Sequence, residues 1–126
     1  MKKIALIAGI AALIATPVLA DVATELSTAQ THAGMASTQT DIAMAQKHLH
    51  HAVNCLVGPS GAGFDAAAGN PCGKAGNGAI TDTTDAAQKA KLTTIAASAK
   101  SGVGMSDLAG VQKAAKETAD AVAAAK

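Results

Sequence analysis

The chain contains no arginine, tryptophan or tyrosine, and its one phenylalanine is Phe64. Without guanidinium forks, stacking aromatics or a basic patch, it is poorly equipped to bind nucleic acid or an anionic membrane surface. Catalytic signatures are missing too. Gly73 to Gly78 lacks the lysine–hydroxyl ending of a phosphate-binding loop. Asp82-Thr-Thr-Asp85 lacks EF-hand spacing and reads as helix-capping acids. No Cys/His pair supports a nucleophile once Cys55 is oxidised. A Cys-x-x-Cys-His run is absent, which excludes covalent c-type haem, and a non-covalent bis-histidine haem would want a bulkier, more aromatic pocket. The expectation is a binding protein and not an enzyme.

Large apolar side chains are also scarce, and alanine dominates the hydrophobic count. A core built this way is thin and depends on close helix approach through Ala and Gly. Pairing of two chains would bury more surface, so both monomer and homodimer are open. Small domains with thin cores need a staple, and the two cysteines offer one. In an exported chain Cys55 and Cys72 are expected to form a disulfide, worth roughly 3 kcal/mol in the chain-entropy model. Metal ligation by the thiols is the alternative.

Export is expected from the first residues. Met1-Lys2-Lys3 is a short basic region, Ile4 to Ala15 is an apolar run, and Thr16-Pro17 breaks it before Val18-Leu19-Ala20. That order predicts a signal peptide over residues 1–20, cleaved ahead of Asp21 and too short to span a bilayer. Residues 21–126 then form a single domain of 106 residues carrying eight lysines and nine acids, with no later segment apolar enough to cross a membrane. The destination is the periplasm or the medium.

Periodicity predicts an all-α fold. A helical stretch runs from about Val22 to Val57, with Met35, Gln39, Ile42, Gln46, Leu49, Val53 and Leu56 stepping by four and three. It is either one helix or two joined near Gly34, with Asp41 as the cap of the second piece. Gly58-Pro59 ends it. Residues 58 to 81 hold seven of the twelve glycines and form a long loop. Such a loop is functional or disordered; here it reads as an ordered lid, tied by Cys72 and pegged by Phe64. Further helices are expected over about Thr83 to Lys100, capped by Thr81 or Asp82 with Ala87, Leu92, Ile95 and Ala99 inward, and, after a turn at Ser101-Gly102-Val103-Gly104, from a cap at Ser106 toward Ala125. Short connections favour an up-and-down bundle of three or four helices.

The chemistry concentrates in Met44-Ala-Gln-Lys-His48-Leu-His50-His51-Ala-Val-Asn-Cys55. On a helix Met44, His48, His51 and Cys55 share one face, about 130 degrees from the buried face centred on Leu49, while His50 projects to the other flank. His48 and His51 at i, i+3 can hold one ion with both imidazoles, and Met44, one turn earlier, can add a thioether. A His/His/Met set suits copper in an oxidising compartment; zinc or nickel would also accept two imidazoles. His32 with Met35 is a second, weaker pair, and His50 and Met35 are secondary candidates. In one continuous helix His32 lies about 27 Å from His50, so it joins the site only if the chain folds back. The competing role is structural: His48, His51 and Asn54 would hydrogen-bond loop carbonyls and pin the glycine-rich segment, with no metal bound.

Lys47 to Gly58, with Phe64-Asp65, Asn70-Pro71-Cys72 and Gly76-Asn77-Gly78-Ala79-Ile80, resembles a family of small exported bacterial proteins that mostly lack an assigned function. More loosely, alanine-rich helices with histidine pairs resemble small periplasmic metal-binding helical bundles, which carry more histidines. That departure leaves one or two metal sites at most, and the expected role is binding, delivery or tolerance. The alternative is an interaction module presenting its stapled loop to another periplasmic protein.

Overall fold

Asp21 starts the described fold, its carboxylate accepting from the Thr24 backbone N–H at 3.0 Å and so capping α1 (Val22–Thr38). The computed structural model describes residues 20–126; the expected signal peptide, apart from Ala20, lies outside them. α1 runs through Gly34 and stops after Thr38, where Gln39 turns extended. Asp41 then caps α2 (Ile42–Val57) by accepting from the Met44 N–H. The stretch is therefore two helices, and the break falls at residues 39–41 rather than at Gly34. An interior glycine costs a helix only about 1 kcal/mol, which packing overrides. The break is fixed by the Asp41 cap and by the distant Gln112 amide, which donates to the Gln39 carbonyl at 2.7 Å. Because of the break, the expected seam through Met35 dissolves, and Met35 is exposed.

Gly58 ends α2 in the left-handed region, at φ 69°, as the Gly-Pro signal predicts. It crosses the other end of the loop there. A Cβ on Gly58 would lie 1.6 Å from the Asn77 carbonyl oxygen, so no larger residue fits. Between these crossing points the loop folds back over α2. Cys55 and Cys72 are joined by a disulfide, and Phe64 packs half-buried against the core. The expected irregular segment is shorter than read from sequence: α3 (Ala79–Asp82) forms one helical turn within it.

The next helix, α4 (Ala86–Val103), starts later than expected and is capped by Asp85, whose carboxylate accepts from Ala87 and Gln88 N–H. Asp82 is engaged with the Asn77 N–H, which removes it as a cap. α4 extends through Ser101-Gly102-Val103, where a turn was expected. Gly102 lets it approach α5 (Leu108–Ala124): a Cβ there would meet the Ala114 methyl at 2.5 Å. Asp107 rather than Ser106 caps α5, accepting from the Gly110 N–H. Leu92 and Ala99 are buried on α4 as expected, but Ala96 and Gly102 complete that face, while Ala87 is exposed and Ile95 half-buried.

The four long helices form an up-and-down all-α bundle in which α1 packs on α2 and α5, and α4 packs on the same two. Leu26, Leu49, Leu56, Leu92, Val111 and Val122 fill its centre. Alanines with no exposed surface, such as Ala29, Ala45 and Ala115, bring the backbones close. Among the described residues no helix is long and apolar enough to cross a membrane.

One acid sits inside this core. Glu25 on α1 has no exposed surface; its Oε1 accepts from the Gly78 N–H at 2.8 Å, and its Oε2 is buried with no partner. Asp82 faces it across Gly76, where a Cβ would come within 2.3 Å of the Asp82 carboxylate and 2.7 Å of Glu25 Oε1. Burial, partly offset by the Gly78 bond, pushes the Glu25 carboxyl up from 4.5 to about 7, with the Asp82 and Asp21 charges adding to the rise. Protonated, Oε2 becomes a donor that can satisfy Asp82. A raised acid stabilises the fold below its unfolded value, and that stability is lost as pH climbs through the folded one. Glu25→Gln, an uncharged donor of the same shape, is expected to match the wild type near pH 4.5 and to exceed it in denaturant unfolding at pH 8, by on the order of 3 kcal/mol. A variant no more stable than wild type at pH 8 contradicts the buried acid.

Candidate metal centre

The loop turns backbone carbonyls and N–H groups toward α2, which presents the side chains that satisfy them. Asn54, fully buried, donates to the carbonyls of Asp65 and Gly69, both at 2.8 Å, and accepts from the Asp65 N–H at 3.0 Å. His50 Nε2 lies 3.3 Å from the Gly63 carbonyl oxygen, and its Nδ1 is 3.8 Å from an Asp65 oxygen. His51 Nε2 lies 2.6 Å from the Ala68 carbonyl oxygen. Asn54, His50 and His51 thus hold the loop as the pinning role requires. His48 does not: its ring faces α1.

The reversal at residues 39–41 lays α1 against α2 and brings His32 opposite His48 and His51. The three rings stand with centroids 5.5, 4.8 and 5.7 Å apart. His32 Nδ1 is 3.3 Å from His48 Nδ1 and 3.3 Å from His51 Nδ1. One nitrogen from each ring lies within 4.8 Å of the others, and each residue is half-buried. His32, expected from sequence only as an assisting residue, is the ring that touches both others. His50, a secondary candidate, faces the loop instead. Met44 and Met35 sit one helical turn from His48 and His32 and are 42 % and 39 % exposed. Cys55 and Cys72 are in the disulfide and offer no thiolate.

Proton bookkeeping gives the cluster its chemistry. A carbonyl oxygen only accepts, so His51 carries its proton on Nε2 and, as a neutral ring, turns a bare lone pair on Nδ1 toward His32. His32 Nδ1 holds at most one proton, which cannot point well along two contacts at once. Extra protons are disfavoured. Burial first, then the neighbouring His51 and His48, lowers the pKa of His32; burial, His51 and Lys47 lower that of His48. Among neutral rings, at least one of the two contacts at His32 Nδ1 therefore lacks a well-aligned proton. A cation held between the rings would remove that conflict. Two nitrogens each about 2.0–2.1 Å from a tetrahedral ion sit about 3.3–3.4 Å apart, close to the spacing of the two contacts His32 makes. The Ala68 carbonyl would then be the outer partner that fixes a ligating imidazole's tautomer and orientation.

No family model, curated protein or solved structure matches the chain. What the site can do rests on its own geometry.

Asn54 and the histidines should separate in stability measurements on the metal-free protein. Asn54→Ala strands two carbonyls and one N–H in a buried place and is expected to cost about 2–3 kcal/mol in urea unfolding. His32→Ala removes a half-buried ring whose Nδ1 contacts are poorly satisfied and is expected to cost under about 1 kcal/mol. Equal losses would mean that His32 is a packing residue.

Proposed function

We propose that this is an exported metal-binding protein whose site is His32, His48 and His51, each ligating through Nδ1. The observation that carries it is the pair of 3.3 Å contacts that His32 Nδ1 makes to the Nδ1 atoms of His48 and His51, in a cluster whose His51 tautomer is set by Ala68. Three imidazoles leave a fourth position open, the arrangement of sites that exchange or present an ion rather than bury it. Copper is the favoured ion, since affinity for nitrogen donors peaks at Cu(II); zinc and nickel are the alternatives. The role is binding, delivery or tolerance. The disulfide suits the oxidising compartment of an exported chain.

The loop-pinning role is the second reading, and the His50, His51 and Asn54 bonds to loop carbonyls favour it. The two are compatible at His51, which can pin with Nε2 and ligate with Nδ1. They part at His32 and His48. Titration of the oxidised protein is expected to give one Cu(II) or Zn(II) per chain with submicromolar Kd. At a free ion concentration a hundred times Kd, binding adds about 2.7 kcal/mol to stability. His32→Ala and His48→Ala are each expected to weaken binding beyond the roughly 10–100-fold typical of outer-shell changes, while His50→Ala leaves it unchanged. Binding that survives loss of His32 and His48 would leave the pinning role alone.

A further inference from the structure

Only three large apolar side chains are exposed among the described residues, and all are methionines: Met35, Met44 and Met105. A single exposed apolar residue needs no explanation, so position decides. Met44 is the one that sequence spacing ties most directly to His48. Helix geometry points elsewhere. Every Cα–Cβ bond leans toward the N-terminus of its helix, so a side chain covers the turn before its own. Met35 leans back over the turn of α1 that carries His32, three residues earlier. α2 runs the other way, so His48 and His51 lean toward the α1–α2 turn, the direction in which Met35 lies along α1 from His32. Met44 leans in that same direction and therefore away from His48.

The donors around the site have one character. The cluster holds three imidazoles and, among the described residues, no carboxylate or thiolate shares it. With no anionic ligand, the site leaves the charge of its ion uncompensated, which disfavours a divalent ion in a half-buried place less than it disfavours higher charge but favours a monovalent one most. A thioether is neutral, soft and carried on three rotatable bonds. Resting on the three-histidine reading above, we infer that Met35 supplies the fourth donor of the site and so makes it hold Cu(I). Zn(II) binds to the same three imidazoles and takes water in the fourth place, so it does not sense the thioether.

Met35→Leu keeps the side chain apolar, of similar size and well suited to a helix. The test measures Cu(I) affinity without oxygen by competition with a chromophoric bicinchoninate chelator, and Zn(II) affinity by competition with a fluorescent chelator. Wild type, Met35→Leu, Met44→Leu and His32→Ala are compared, each first checked for helical content. Met35→Leu is expected to weaken Cu(I) binding about tenfold or more and to leave Zn(II) binding within about twofold. Met44→Leu is expected to change neither. In the wild type, the ε-methyl NMR signal of Met35 should shift on adding Cu(I) and stay in place on adding Zn(II). Unchanged Cu(I) affinity in Met35→Leu, a selective loss in Met44→Leu instead, or an unmoved Met35 methyl overturns the thioether donor while leaving the histidine site standing. Wild type that binds neither ion, or His32→Ala that binds both as tightly, overturns the site itself.

Discussion

The chain reversal between Thr38 and Ile42 decides what the rest of the molecule can become. Gln39 is extended, Asp41 caps α2, and the Gln112 amide holds the Gln39 carbonyl from α5. Those few bonds turn a potential single long helix into an antiparallel pair. Two consequences follow together. The alanine faces of α1 and α2 meet and begin the core, and His32 arrives beside His48 and His51. Shift the reversal by one residue and His32 rotates by about 100 degrees out of reach of both partners.

The second organising feature is the way α2 serves two surfaces at once. Leu49, Ala52, Val53 and Leu56 face the bundle, while Asn54, Cys55 and His51 hold a loop whose backbone would otherwise be left unsatisfied. A chain with so few large apolar residues cannot stabilise the long loop over residues 58–78 by packing. It does so with polar side chains and a covalent staple across 17 residues. His51 joins the two jobs. The bond that pins Ala68 also leaves Nδ1 of the neutral ring bare, so one tautomer sets both the hold on the loop and the readiness of the proposed metal site.

How much of this could be read from residues alone follows from the range of each interaction. The Asp41 cap, the Gly58-Pro59 stop and the buried face around Leu49 depend on near neighbours, and the Cys55–Cys72 staple on the chain having one pair of cysteines, so they were legible. Gly34 misled because a glycine signals a break only where packing does not override it. The true cap of α4, Asp85, lost to Asp82 on paper because the contact of Asp82 with Asn77 is a matter of loop shape. His32 was legible in principle: a reversal centred near Thr40 pairs position 32 with position 48. Choosing that centre over Gly34 needed Gln112, more than seventy residues away. Glu25 left no trace in sequence, since an acid in a helix's first turn normally faces water and favours the helix dipole.

The central claim is that three Nδ1 atoms converge on one ion. Nitrogen-15 NMR of the histidine rings, recorded on the oxidised protein before and after one equivalent of Zn(II), reads each nitrogen separately. The account predicts that His32, His48 and His51 are ligated through Nδ1, that His51 keeps its Nε2 proton in both states, and that His50 is unmoved. Ligation through Nε2 of His51, or a response shared equally by His50, would contradict it.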